Sequence, residues 1–464
     1  MIDWFITLLI SAPAFALAAR RSSWLLDYAI IVLAFNRGIR RVADYYVDGH
    51  FNQFSPISLT PLVVAGLLLV PVGSYFLRLP RKSRTPFYLL GTGIALGFAI
   101  GVVLNRAAAV YSLAEWLAGL GAMAFAATQP IGSKVADRWI KTAGWCAVIV
   151  AAYGWWQYYT IPAWDGMWLV QSGMAGYMGQ PEPTKMTVFS TLNERGPCGS
   201  FLAWAVIPMI INPRWRNPGG WLSVAFLLSG IVLTQTRSNL IIIGVVAILY
   251  PALTSGRGIG RLLVLTALIM IGATWGLQHV PGMQTLGERF GADSLYGGNS
   301  SLQGRLDIYR YGLSSIVSKP LGLGLGCSGL GGRMNNNSGE GVSDSGYVQI
   351  FAQFGWLGGL LFFAALWLLW QELGRRWKCG LTLGGPESVD AFVPATRAVL
   401  LASLVFLFVG DIFAGFSLLW VFFGRSLSIH ADPVLMKKLR ELLARRPASY
   451  TAERPLQAVP LNSA

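Results

Sequence analysis

The chain has 464 residues, 54% of them hydrophobic and 12% charged, with a mean hydropathy of +0.52 and a formal net charge of +15. Such a composition excludes an ordinary soluble domain, and with it the reading of the positive charge as a nucleic-acid footprint. Apolar runs of roughly 17–22 residues recur along most of the chain, each able to cross the ~30 Å hydrocarbon core as a helix, whereas a β-barrel would show alternating segments of about 10 residues.

In chain order, spans are expected at 2–19, 24–36, 59–77, 86–104, 108–128, 140–160, 198–212, 221–236, 238–253, 262–279, 347–370, 395–410 and 412–424. The fold class is therefore an all-α polytopic integral membrane protein with 12–13 transmembrane helices and a large outward loop. The opening "MIDWFITLLISAPAFALAARR" places Asp3 where a secretory signal would carry basic residues, so 2–19 is expected to remain as a span. The small residues Ala16 to Ala19 keep cleavage open as the alternative.

Lys and Arg concentrate at 20–23, 78–84, 134–141, 214–216, 257–261 and 375–378 and in the tail "MKKLRELLARR". The positive-inside rule puts these on the cytoplasmic side. Segments 37–58, 161–197 and 280–346 then face outward, and 395–424 becomes a pair of spans turning at Asp411. Asp432 is expected to cap a helix whose first residue is Pro433. Its Val434, Leu435 and Leu439 form an apolar face among Lys437, Lys438 and Arg440, which suits an interfacial helix on anionic lipid or a solvated charged tail. Beyond Pro447 the composition is that of a disordered segment.

Cys146, Cys198, Cys327 and Cys379 are scattered, without CxxC or Cys/His ligand spacing, so neither a metal site nor a disulfide scaffold is expected. One bridge, Cys198 to Cys327, would be permitted if both face outward.

Three outward features carry potential chemistry. The first, "TQTRSN", sets Arg237 between two apolar spans with Thr234, Thr236, Ser238 and Asn239 around it. It is either a snorkelling anchor or an anion-binding guanidinium. The second, "GRLDIYRYGLSSIVSKP", reads as an amphipathic helix carrying Arg305, Tyr309 and Arg310, which ends at Lys319–Pro320. The glycine-rich "PLGLGLGCSGLGGRMNNNSGEGVSDSGY" follows, flexible as a sequence and able to bring backbone N–H groups close to an anion, or a plain linker. The third, "DSGYVQIFAQFGWLGGLLFF", opens the next span, with Asp344 as a candidate cap and Ser345, Gly346 and Tyr347 as cap and first turn. Within the spans Glu115 is the one clear charge, with Arg106 as its expected partner.

Taken in order, "TLNERGPCGSFLAWAVIPMI", "LSGIVLTQTRSN", "RLDIYRYGLSSIVSKPLGLGLG" and "DSGYVQIFAQFGWLGG" resemble the bacterial O-antigen ligase/polymerase superfamily over about residues 185–375. The resemblance implies a fold like that of C-type glycosyltransferases and a location in the bacterial inner membrane with the active site facing the periplasm. It implies transfer of an oligosaccharide from an undecaprenyl diphosphate carrier to an acceptor glycan, by inversion and without metal or other cofactor. Arg237 and Arg305 match the family's arginines; Arg310, Tyr309, Tyr347, Arg195 and Asn193 fall in the substrate-binding region. Ligases of the family carry a histidine before the tyrosine-bearing span, where this chain has Asp344; its histidines are His50, His279 and His430. That departure favours a polymerase of exopolysaccharide or O-antigen repeat units, with Asp344 as general base or orienting group and an O-antigen ligase as the alternative. Expected partners are membrane lipids, a chain-length regulator and a flippase, with no nucleic acid.

The expected division is 1–184 as N-terminal helices, 185–375 as the family-like region with loop 280–346, 376–430 as C-terminal helices and 431–464 as a cytoplasmic tail. Two other readings compete. "GCSG" around Ser328 fits an intramembrane serine protease only if a histidine joins it, and a lipid-linked oligosaccharide flippase would favour internal repeats, of which none is visible.

Overall fold

The computed structural model describes residues 2–129, 132–254, 309–310, 312–314, 316–334, 345–385, 389–408 and 410–444. The protein is an all-α polytopic membrane protein. Its principal helices are α1 Ile2–Ala19, α2 Trp24–Ala43, α3 Thr60–Leu67, α4 Arg81–Leu104, α5 Ala107–Thr128, α6 Ser133–Thr160 and α7 Ala163–Gln171. They continue as α8 Arg195–Ile211, α9 Trp221–Leu233, α10 Arg237–Thr254, α11 Gly346–Gly384, α12 Phe392–Phe406, α13 Leu418–Leu427 and α14 Pro433–Ala444. Among the described residues, five helices (α1, α4, α5, α10 and α11) are long and apolar enough to cross a membrane, and five shorter apolar helices accompany them. The expected span 262–279 and Arg305 and Asp344 lie outside the described residues.

Three expected boundaries move. The second helix does not stop at 36 but continues to Ala43 and a π-helical turn, Asp44–Asp48. It can do so because Arg40 and Arg41 find protein partners instead of lipid. The span expected at 59–77 is interrupted, since α3 ends at Leu67 and a run of turns follows. The span expected at 412–424 begins only at Leu418, after non-helical chain in which the Asp411 carboxylate accepts the Phe413 and Ala414 amides.

One end of the bundle gathers the basic segments. Buried Arg376, near the end of α11, donates to Ser83 of α4, to the carbonyls of Ser426, Leu427 and Ser428 at the end of α13, and to Glu372. Arg375 bridges Glu372 and Asp432. Burial alone would raise the Asp432 carboxyl, but the Arg375 hydrogen bond and the two guanidinium charges outweigh it and hold it below the ordinary carboxylate value. Asp432 also caps α14, accepting Val434 N at 3.0 Å and Leu435 N at 3.3 Å, as expected. On the same logic Asp137 accepts from Trp215 and pairs with Arg214, and Arg138 pairs with Asp27.

The described part of the glycine-rich stretch is not a linker. Residues 320–326 are wedged between α4 and a break in α11. Gly355, with φ +67°, interrupts α11, and the gap is filled by the incoming chain: Trp356 N donates to Pro320 O at 2.8 Å and Leu323 N to Ala352 O at 2.7 Å. On the other side Leu325 N donates to Gly97 O at 2.8 Å, and Asn105 Nδ2 reaches Leu323 O and Leu325 O. Gly322 (φ +78°) and Gly324 (φ +77°) have no room for a Cβ, which would lie 2.6 Å from Gly355 N and 2.3 Å from Gly101 N. Irregular backbone is tolerated here because protein, not lipid, satisfies its polar groups.

Sidedness is testable by labelling. In a Cys-free background, Ser314→Cys is expected to react with a membrane-impermeant thiol reagent added outside spheroplasts, and Lys82→Cys only after permeabilisation; both positions are exposed. The reverse pattern would overturn the orientation. Ser83, although in the same basic segment, is buried against Arg376 and would report nothing.

Candidate active site

Two helix starts that carry sequence-predicted arginines meet at the end opposite the basic segments. Arg195 is the first residue of α8 and Arg237 the first of α10. Their junction is tight. A Cβ on Gly199 would lie 2.2 Å from Thr236 Oγ1 and 2.5 Å from Asn239 Nδ2, and Ser200 Oγ donates to Asn239 Oδ1 at 3.2 Å. The polar neighbours of Arg237 therefore build its mount. Thr234 donates to Ile231 O, its hydroxyl lies 2.6 Å from that of Thr236, and Asn239 donates to Thr236 at 2.9 Å. Two converging helix N-termini add the positive ends of their dipoles to the guanidinium charges, the arrangement that favours an anion. Arg195 is half-buried with its guanidinium 4.2 Å from the Tyr177 ring.

The segment that leads into α8 is held by a residue the sequence reading passed over. Arg41 is wholly buried. Its Nε donates to Asp165 Oδ1 at 2.6 Å, Nη1 to Asn193 Oδ1 at 2.9 Å and Nη2 to Ser190 O. Asp165 also accepts from Tyr153 at 2.8 Å and Gln157 at 2.6 Å, and Gln157 returns its carbonyl to the amides of Phe189 and Ser190. Ser190 is held at φ +52°, a left-handed conformation unusual for serine. Asn193 is thus tied to Arg41 through its side-chain oxygen. The missed signal was "RGIRR" in a segment otherwise assigned to a loop.

A cavity of about 240 Å³ lies between α5, α11, the glycine-rich stretch and the Asp411 turn. Its wall is ordered by a chain of hydrogen bonds: Trp116 Nε1 donates to Gln353 Oε1 at 2.9 Å, and Gln353 Nε2 to Ser328 Oγ at 2.6 Å. Ser328 is thereby partnered by the Gln353 amide, and no histidine is paired with it among the described residues. Glu115, Gln349 and Asp411 also line the cavity. The positive charge acting on Glu115 is that of Arg37 of α2, where the sequence suggested Arg106, and Tyr111 and Asp411 also act on it. Burial raises the Asp411 carboxyl above the ordinary carboxylate value, against the backbone amides of Phe413, Ala414 and Ile412.

The other predicted residues divide. Tyr309 donates its hydroxyl to Phe408 O at 2.8 Å and accepts from Ser345 at 3.0 Å; Tyr347 donates to Leu404 O at 2.8 Å and stacks on Phe363. Both hydroxyls are spent on backbone at the end of α12, which makes these tyrosines anchors of the loop's return. Arg310 is exposed. The cap of α11 is Ser345, whose Oγ accepts Val348 N at 3.5 Å, so the capping role considered for Asp344 belongs to its neighbour. Cys198 and Cys327 are both buried free thiols, and the bridge between them is absent.

A helical membrane bundle with arginines at converging helix starts and a carboxylate-lined polar cavity defines the class as a polytopic membrane protein. The O-antigen ligase family model matches residues 222–363, from α9 through the break in α11, and supports membership of the O-antigen ligase/polymerase superfamily. No curated protein and no solved structure matches the chain. Arg237 falls within the matched segment, as do Arg305 and Asp344; Asn193, Arg195, Arg37, Arg41 and Glu115 lie before it.

Proposed function

We propose that the protein is a polysaccharide polymerase, an inverting glycosyltransferase that moves an oligosaccharide from a polyprenyl diphosphate carrier to an acceptor repeat unit on the outer face of the inner membrane. The observation that carries this reading is Arg237 at the head of α10, packed against the head of α8 with Arg195. Breaking the anomeric bond builds charge on the bridging oxygen of a diphosphate, and guanidinium groups grip phosphate oxygens while staying charged. Arg305 is proposed as the second clamp. The cavity lined by Glu115, Gln349 and Asp411 offers hydrogen-bonding walls suited to sugar hydroxyls.

Acceptor activation is assigned to Asp344. Asp344→Asn is expected to lower polymer formation by on the order of 10²-fold with carrier binding retained. Near-normal polymerisation by that variant would remove Asp344 from the mechanism.

The ligase reading draws on the family match, and the histidine positions argue against it. His50 is exposed beside the Asp44–Asp48 turn, and His430 sits next to Asp432 at the basic end. Cells lacking the protein separate the readings. Loss of a polymerase leaves single repeat units on the carrier, loss of a ligase leaves finished chains on the carrier, and loss of a flippase leaves single units facing the cytoplasm.

A further inference from the structure

We infer that Asp3, Asp44 and Asp48 form a binding site for a hard divalent cation, Ca²⁺ by preference, which pins the start of α1 to the end of α2. Each residue offers a carboxylate oxygen, and the three oxygens lie within 4.8 Å of one another. They come from two helices remote in sequence, so the fold, not a local acidic run, brings them together.

A second observation is the state of Asp44. It is wholly buried, and neither of its carboxylate oxygens has a hydrogen-bond partner. Arg40 Nε stands 3.4 Å from Oδ2, an ion contact that closes no hydrogen bond. The remaining donors of Arg40 are committed elsewhere, Nη1 to Ser58 Oγ at 2.7 Å and Nη2 to Asn52 O. One guanidinium contact, to Asp44, therefore stands against three carboxylates gathered within 4.8 Å of one another. A buried carboxylate without hydrogen bonds is costly, and like charges this close are costlier still. A divalent cation removes both costs.

The chemistry of the donors selects the cation. All three are oxygens, which disfavours zinc and copper. Calcium takes oxygen ligands at about 2.3–2.6 Å and so accepts oxygens up to about 5 Å apart, whereas magnesium at about 2.0–2.1 Å accepts about 4.2 Å. The outer partners are in place. Ser55 Oγ donates to Asp3 Oδ2 at 2.7 Å and Asn52 Nδ2 to Asp48 Oδ2 at 2.6 Å, fixing two carboxylates while leaving each a further oxygen. Asp44 and Asp48 bracket the π-helical turn, a local distortion that sets both side chains toward Asp3. The next residue along α2 from Arg40 is Arg41, which holds Asn193, so the cation would brace the framework behind the α8 start.

The test uses the full-length protein in detergent, stripped with EGTA and titrated with CaCl₂ by calorimetry. One site is expected, with an affinity of roughly 10⁻⁴–10⁻³ M or tighter, together with a Ca²⁺-dependent rise in the unfolding midpoint. Asp48 is only partly buried, so Asp48→Asn should fold normally and weaken binding by at least about tenfold. Asp44→Asn should abolish binding yet unfold no earlier than the stripped wild type, because it removes an uncompensated buried charge. Absence of binding at 10 mM CaCl₂ (roughly tenfold above the weakest expected affinity), unchanged affinity in Asp48→Asn, or tighter binding of Mg²⁺ than of Ca²⁺ would overturn the inference.

Discussion

Arg237→Lys is expected to insert and accumulate like the wild type and to lose polymer formation by on the order of 10²-fold or more. Single repeat units should build up on the lipid carrier. Lysine keeps the charge but not the planar fork that holds two phosphate oxygens at once. Around position 237, Thr234, Thr236, Asn239 and Ser200 bond to one another and to backbone. A snorkelling anchor makes the opposite prediction, because lysine snorkels as well as arginine does. Full-length polymer from the Lys variant at wild-type protein level would leave the diphosphate clamp to Arg305.

The second large effect is expected at Arg41. Arg41→Ala leaves the Asp165 carboxylate buried with only Tyr153 and Gln157 as partners, and frees Asn193 and the Ser190 carbonyl. Removing one member of such a pair costs about 3–5 kcal/mol, which should appear as a clear fall in the unfolding midpoint of the purified protein in detergent. The double variant Arg41→Met with Asp165→Leu separates stability from placement. Paired apolar replacements can be close to neutral for stability, yet nothing then holds Asn193, so polymer yield should still drop. A midpoint for Arg41→Ala equal to that of the wild type would contradict the role given to this network.

Much of the helical framework was readable because it obeys a local rule. Apolar runs of spanning length became α1, α4, α5, α10 and α11. Arg237 could be read as a helix start because a lone cation between apolar runs belongs at a boundary, and Asp432 before Pro433 was readable as a cap. What the sequence concealed depends on long-range pairing. Arg41 and Asp165 are 124 positions apart, and until they meet, "RGIRR" reads as a loop outside the membrane. The break at Gly355 lies inside a largely apolar run, and only the incoming Pro320 and Leu323 explain it. The glycines that suggested a loose linker are there because Gly97, Gly101 and Gly355 approach too closely for any side chain. Likewise the cavity draws Glu115, Ser328, Gln353 and Asp411 from four separate segments, so no motif announces it.

The central claim is that this chain lengthens a lipid-linked glycan. Purified protein in proteoliposomes, supplied with a polyprenyl diphosphate-linked repeat unit and a lipid A core acceptor, tests it most directly by mass spectrometry of the lipid fraction. The account predicts glycans of two and more repeats on the polyprenyl carrier, released free polyprenyl diphosphate, and no glycan on the lipid A core. Transfer of the repeat unit to the lipid A core, with no lengthening on the carrier, would contradict it.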